Sequence, residues 1–313
     1  MYAARLQRPT PYVDKTVYVG WNSMCVSAYL EAAKVLNLVE ARRFALRSLD
    51  RILAEAWKRP AEDARLLHVV SYSDAEAEHR EVTGLLDDYA ATVLACLDAY
   101  EATADIGYFK FAQSIADAMN AKFFDTVSGG FFDAEPAADG KSLGVLATRR
   151  KPLQDSPTPA GNPMAAIALL RLHHYTGEAA YRDKAEQTLE TFAGVVEQFG
   201  IFAATYGIAV AHFLGNPAQV VVISENDADA AGAALAASAH AAFAFNKTVI
   251  RLRVNQAVAE NLPPALAATI PNLPELKSGK PFAVLCSGFS CQPPIKDAAA
   301  LRRGLESALK TQH

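Results

Sequence analysis

The sequence predicts a mainly α-helical chain: layered helical hairpins over residues 1–216, followed by a small α/β domain over residues 217–313. Three observations lead there. Apolar positions recur at helical spacing through residues 22–214. Three segments of one layout repeat inside that stretch. From residue 218 onward, short β-branched runs alternate with helix-like ones.

Helices are predicted over 23–38, 39–57, 83–102, 106–124, 163–176, 178–199 and 202–214, in a background rich in Ala, Leu, Arg and Glu. Glycine and polar clusters, such as "DTVSGGFFD" (125–133), break the run. Asn22, Thr83 and Asn162 stand at the expected N-caps, since short polar side chains satisfy the free N–H groups of a first turn.

The repeat appears once the helices are paired. Segments 33–52, 97–119 and 170–192 each end one helix, turn, and open the next with an aromatic followed four residues later by a small side chain. Those anchors are Phe44 with Ser48, Tyr108 with Ala112, and Tyr181 with Ala185. Stacked hairpins expose an apolar face until a neighbour covers it. Beyond "LGNPAQ", strands are expected at 219–224, 247–254 and 281–286, with helices at 228–243 and about 297–309.

Composition narrows the class. The 313 residues are 51% hydrophobic and 20% charged, with a formal net charge of −4. Charges of both signs are interspersed, so a nucleic-acid footprint is not expected. The N-terminal "MYAARLQRPTPYVDK" has no apolar signal core, and no apolar run reads as a membrane span. Four cysteines are too few for a secreted disulfide scaffold. A cytoplasmic protein is the expectation.

Several motifs fall in a familiar order: "GWNSMCVSAYLEAAKVL", "LLDDYA", "GGFFD", "DSPTPAGNPMAAIALLRL" and "CSGFSCQPP". With these the chain resembles the C-terminal half of the YyaL / spermatogenesis-associated protein 20 family over nearly all of residues 17–303. Those proteins join a thioredoxin-like domain to an (α/α)6 toroid related to N-acylglucosamine 2-epimerase and six-hairpin glycosidases, and end in a small α/β domain. The resemblance implies a partial (α/α)6 toroid here, without the thioredoxin-like domain or the first toroid hairpins. A partner is then expected to supply the missing wall: a second copy of this chain, or a separately encoded thioredoxin-like or toroid-half protein.

The toroid resemblance also implies where chemistry sits, because inner helices aim their N-terminal ends at a central funnel. It nominates Asp88 and Asp155 as catalytic carboxylates, and Trp21, Asn22, Tyr89 and Asn162 as sugar contacts. An aromatic face covers an apolar sugar face, while amides and carboxylates bind hydroxyls. The competing assignment makes Asn22 and Asn162 helix caps and Trp21 core. Asp87 and Asp88 diverge by about 100° on a helix, which argues against that pair flanking one glycosidic bond. Among the histidines, His68, His79, His173, His174, His212 and His240 match no epimerase position, so epimerisation by this chain alone is doubtful.

No cofactor is expected: neither a Walker motif nor a G-x-G-x-x-G follows a strand. No metal site is expected either, since Cys286 and Cys291 supply only two ligands. That cysteine pair stays open between a local disulfide, a redox pair and a marker of ancestry. The function expected is a carbohydrate-binding or carbohydrate-processing toroid, of epimerase-like or glycosidase-like type. The alternative is a non-catalytic scaffold for a thioredoxin-like partner.

Overall fold

The computed structural model describes residues 1–59, 63–72, 81–136, 148–288 and 290–310. His79 and Phe289 lie outside them. A short helix, α1 (Tyr2–Leu6), and strand β1 (Thr16–Tyr18) precede the first hairpin, α2 (Val19–Leu36) with α3 (Val39–Ala56). Two small pairings follow: β2 (Trp57–Lys58) with β3 (Arg65–Leu66), and β4 (Val69–Ser71) with β1, both antiparallel. The second hairpin is α4 (Leu86–Thr103) with α5 (Ile106–Phe123), and the third is α6 (Gly161–Thr176) with α7 (Ala179–Ala193). A 3-10 stretch at Val196–Ala203 leads into α8 (Ala204–Leu214).

Helices α2, α4, α6 and α8 pack side by side in that order and form the inner wall of a partial (α/α)6 toroid, with α3, α5 and α7 outside. Of the inner helices, α4 and α6 are buried nearly all round. The outer helices are tied by the repeat anchors. Tyr108 at the start of α5 donates to Asp50 of α3 (2.6 Å), and Tyr181 at the start of α7 donates to Asp117 of α5 (2.9 Å). The third anchor differs: Phe44 has no hydroxyl and is half exposed against Tyr29.

Helix starts depart from expectation. The N-caps are Tyr18, Leu85 and Ala160, so Asn22 and Asn162 lie inside the first turns of α2 and α6 and cap neither. At α4, Asp88 in the third helical position returns its carboxylate to the Leu85 N–H (2.8 Å), doing from inside the helix what a polar cap does from outside.

The remainder is the α/β unit: β5 (Ala218–Ser224), α9 (Ala230–Ala241), β6 (Lys247–Arg253), α10 (Pro264–Ala267), β7 (Phe282–Ser287), β8 (Ser290–Cys291) and α11 (Ala298–Lys310). Sheet order is β6–β5–β7–β8, with β5 parallel to β6 and antiparallel to β7. Strand β5 is buried on both faces, which its unbroken Val and Ile run anticipates. Its side chains alternate between two cores: Val221 and Ile223 join the helical core, while Val220 and Val222 pack with Leu235 of α9 and Leu301 of α11. Each such burial stabilises by roughly 1.5–3 kcal/mol. The sheet therefore closes one side of the helical wall, and the helical core runs without a gap into the α/β unit.

Candidate functional site

The first turns of α2, α4 and α6 meet at one end of the inner wall. Asp88 of α4 is 3% exposed, and its Oδ1 accepts the Gly20 N–H of α2 at 2.9 Å. Its Oδ2 accepts the Leu85 N–H and lies 2.8 Å from His68 Nδ1. An ionised carboxylate can only accept, so this contact places a proton on Nδ1 and leaves Nε2 as the free ring nitrogen. Burial raises the Asp88 pKa, while the Leu85 N–H, His68 and the Gly20 N–H pull against it. His68 is held from both sides of its backbone: its carbonyl accepts from Val19, and its N–H donates to Val82.

Asp87 faces the other way, toward α6. A Cβ on Gly161 would stand 2.2 Å from Asp87 Oδ1, and one on Gly20 would stand 2.8 Å from Asp88 Oδ1. Glycine at those two positions lets neighbouring helices close on the carboxylates. Burial, then the charges of Asp88 and Asp133, push the Asp87 pKa up to about 6. A carboxylic acid poised near neutrality is suited to giving up or taking a proton.

An aromatic platform borders this pair. Trp21 is 56% exposed and its ring lies 4.8 Å from that of Tyr18, which meets His68 edge-on at 5.6 Å. This end of the wall, called the mouth below, thus carries one exposed ring stacked on a half-buried one and a histidine oriented by a buried carboxylate, with a second carboxyl near neutral pKa turned toward α6.

The other nominated residues are placed differently. Tyr89 is fully buried, packs on Phe123 and accepts the Leu66 N–H at its hydroxyl, so it is core and cannot touch a substrate. Asn162 is also fully buried. Its Oδ1 accepts from Phe131 N, and its Nδ2 donates to Phe131 O and Pro152 O, clamping the "GGFFD" turn and the 148–160 segment onto α6. Asn22 donates to Tyr18 O within its own helical turn. Asp155 accepts Ala160 N–H and Thr205 N–H, one on each oxygen, and so joins the start of α6 to the start of α8. Among the described residues no hydrogen bond joins Asp155 to Asp88. Trp21 is exposed on the first turn of α2, and Asp88 is buried on the first turn of α4 beside His68.

The cysteine pair is elsewhere. Cys286 of β7 and Cys291 of β8 face each other in register and are disulfide-bonded, whereas Cys25 and Cys96 are free. Among the described residues, no group of three His, Cys, Asp or Glu side chains is placed to hold a metal ion. No single described helix is long and apolar enough to cross a membrane, although α7 and α8 together form a bent pair that passes by length and composition.

Sequence reasoning missed His68, Tyr18 and the role of Asp87. Only the adjacency of Asp87 and Asp88 was visible, and their divergence, correctly expected, turns out to direct each to a different neighbouring helix.

No protein-family model matches the chain. Human spermatogenesis-associated protein 20 is 27% identical over 313 residues, covering 97% of this chain, and the rat protein is 26% identical over a similar span. The chain is related to spermatogenesis-associated protein 20. It spans 38% of the human relative's length. Overlap with solved structures is partial. A GH76A α-1,6-mannanase of Salegentibacter sp. HEL1_6 gives a TM-score of 0.43 at 17% identity, over 56% of this chain and 47% of that one. Cellobiose 2-epimerase from Bacillus thermoamylovorans B4167 gives 0.45 at 13% identity, over 58% and 46%.

Proposed function

We propose that the mouth formed by α2, α4 and α6 handles a carbohydrate by proton transfer, of the epimerase or isomerase type. The observation that carries this is the Asp88–His68 hydrogen bond, with Tyr18 edge-on to the His68 ring and the exposed Trp21 ring beside Tyr18. His68 Nε2 takes a proton from the sugar carbon and returns it, while Asp88 holds the ring and stabilises its charge. Trp21 and Tyr18 cover the apolar sugar face. Hydrolysis by two carboxylates is less well supported, because Asp88 already has three hydrogen-bond partners and so is no free nucleophile.

The test is saturation-transfer NMR with D-mannose and N-acetyl-D-mannosamine, followed by incubation in D2O. Saturation transfer that Trp21→Ala removes, with C2 deuteration that His68→Gln removes, supports the proposal. Absence of saturation transfer from neutral and N-acetylated sugars ends it for this chain.

A second reading, an interaction module, has its own observation. Tyr29, Leu36, Val39 and Phe44 of α2 and α3 are all exposed apolar side chains on one hairpin. A second copy of this chain or a thioredoxin-like partner are the occupants that reading requires. Light scattering that returns a strict monomer, with no chain co-purifying, counts against it.

A further inference from the structure

Strand β8 is two residues long and lies at the edge of the sheet, where it pairs with β7. Cys291 of β8 is exposed, whereas its partner Cys286 is only 4% exposed and belongs to the helical core. The bridge therefore runs from the surface to the seam between the helical wall and the α/β unit.

Other bonds close the same hairpin. Ala283 and Ile295 exchange both backbone hydrogen bonds, at 2.7 and 2.8 Å, and the Gln292 N–H donates to the Leu285 carbonyl at 2.8 Å. Gly288, at φ +53°, serves the turn between the strands. A bridge between residues five apart closes a very short loop, so it removes little entropy from the unfolded chain. A disulfide with one exposed partner and little weight in folding is of the labile kind, because exchange depends on access for the attacking thiolate.

On its inner side, Cys286 shares a small recess with His174 at the end of α6 and with Pro217, Gln219 and Gly288. Gln219 Nε2 donates to the His174 carbonyl at 3.0 Å and so ties β5 to the helical wall.

We propose that Cys286–Cys291 is a reversible thiol–disulfide exchange site, opened by a dithiol that enters from the Cys291 side. The incoming thiolate attacks Cys291 Sγ, forms a mixed disulfide there and expels Cys286 as a thiolate, which takes a proton from solvent. The second thiolate of the dithiol then attacks the dithiol's own sulfur in the mixed disulfide. The dithiol leaves oxidised to a disulfide, and Cys291 leaves as a thiolate and is protonated. Two electrons pass to the protein, and the reverse sequence restores the bridge. Opening it frees the Cys286 side chain in the recess beside His174, so the change reaches the seam. This site does not depend on the chemistry proposed at the mouth.

The experiment treats the full chain with millimolar dithiothreitol under native conditions and maps alkylation of each cysteine by mass spectrometry. The remaining cysteines are internal controls. Cys25 is exposed and free, so it reacts throughout, and Cys96 is fully buried, so it reacts only when the chain unfolds. Cys286 and Cys291 are expected to become alkylated, Cys291 about tenfold faster, while Cys96 stays protected. Exchange into oxidised dithiothreitol should close the bridge again. With glutathione disulfide, Cys286→Ser should take up glutathione at Cys291, and Cys291→Ser should not take it up at Cys286. A bridge that resists until Cys96 also reacts is a fixed structural link and overturns the proposal. So does a reduced pair that fails to close again, or equal glutathione uptake at the remaining cysteine of the two variants.

Discussion

His68 Nδ1 lies 2.8 Å from Asp88 Oδ2, and the same carboxylate accepts backbone N–H groups at the start of two helices, from Gly20 and from Leu85. One buried side chain therefore orients the imidazole and joins α2 to α4. Ring orientation and helix packing draw on the same atoms, and the consequences of substitution are separable by residue.

Asp88→Asn keeps the shape but replaces one accepting oxygen by a donor, which conflicts with either Gly20 N–H or Leu85 N–H and His68. We expect a loss of about 2–4 kcal/mol in urea unfolding. His68→Gln, on a partly exposed side chain, should cost under ~1 kcal/mol and still abolish the proposed proton transfer.

Asp87→Asn should act in the opposite direction on stability. The carboxyl has a higher pKa in the folded chain, about 6, than its ordinary 3.8, so folding favours the protonated form. Its contribution is full below pH 3.8 and is lost as pH rises through 6. At pH 8 the charged carboxylate is a cost, and the asparagine should stabilise by about 1–3 kcal/mol, with a smaller gain at pH 5. Equal effects at both pH values would refute this account.

Asn162→Ala removes three buried hydrogen bonds and leaves the Phe131 N–H, Phe131 carbonyl and Pro152 carbonyl unmet. A loss of about 3–5 kcal/mol is expected, measured by thermal or urea unfolding. Retention of full stability would remove its structural role and return Asn162 to the list of ligand contacts.

Mild acid should weaken the seam between the helical wall and the α/β unit. His174 is pushed down to about 3 by burial and neighbouring His173, and His212 and His240 to about 4 by burial and nearby cations. Their unfolded forms take up protons below about 6.5, while the folded forms resist down to about 4. Stability should fall across that window by about 1.4 kcal/mol per pH unit for each histidine. Urea unfolding between pH 7 and 5 measures the slope, and His240→Gln should reduce it by one histidine's share.

Thiol counting in denaturant tests the cysteine assignment. Two free thiols, Cys25 and Cys96, are expected before reductant and all four cysteines after it. The bridged loop is short, so its reduction should cost only about 2 kcal/mol.

Helix positions were legible because apolar spacing reports directly on which face is buried, although the helix expected over 178–199 ends at Ala193 and gives way to a 3-10 stretch at Val196–Ala203. The β-branched run "QVVVIS" likewise announced a strand, and the structure buries it on both faces. Starts of helices were less legible. Asn22 and Asn162 have the chemistry of caps, yet the actual caps at Tyr18 and Ala160 are supplied by chain geometry and by the packing of neighbouring first turns.

The site divides the same way. Composition, periodicity and motif order determined by themselves a layered helical chain with an α/β end, and brought Trp21 and Asp88 forward from the motifs. Tertiary structure alone decided that Tyr89 and Asn162 are buried and committed, that Asp155 braces α6 against α8, and that His68 meets Asp88. His68 is 20 residues from Asp88 and lies between strands. No periodicity links such positions, because a hydrogen bond between distant segments depends on how helices pack, and packing leaves no mark on the local spacing of the residues it brings together.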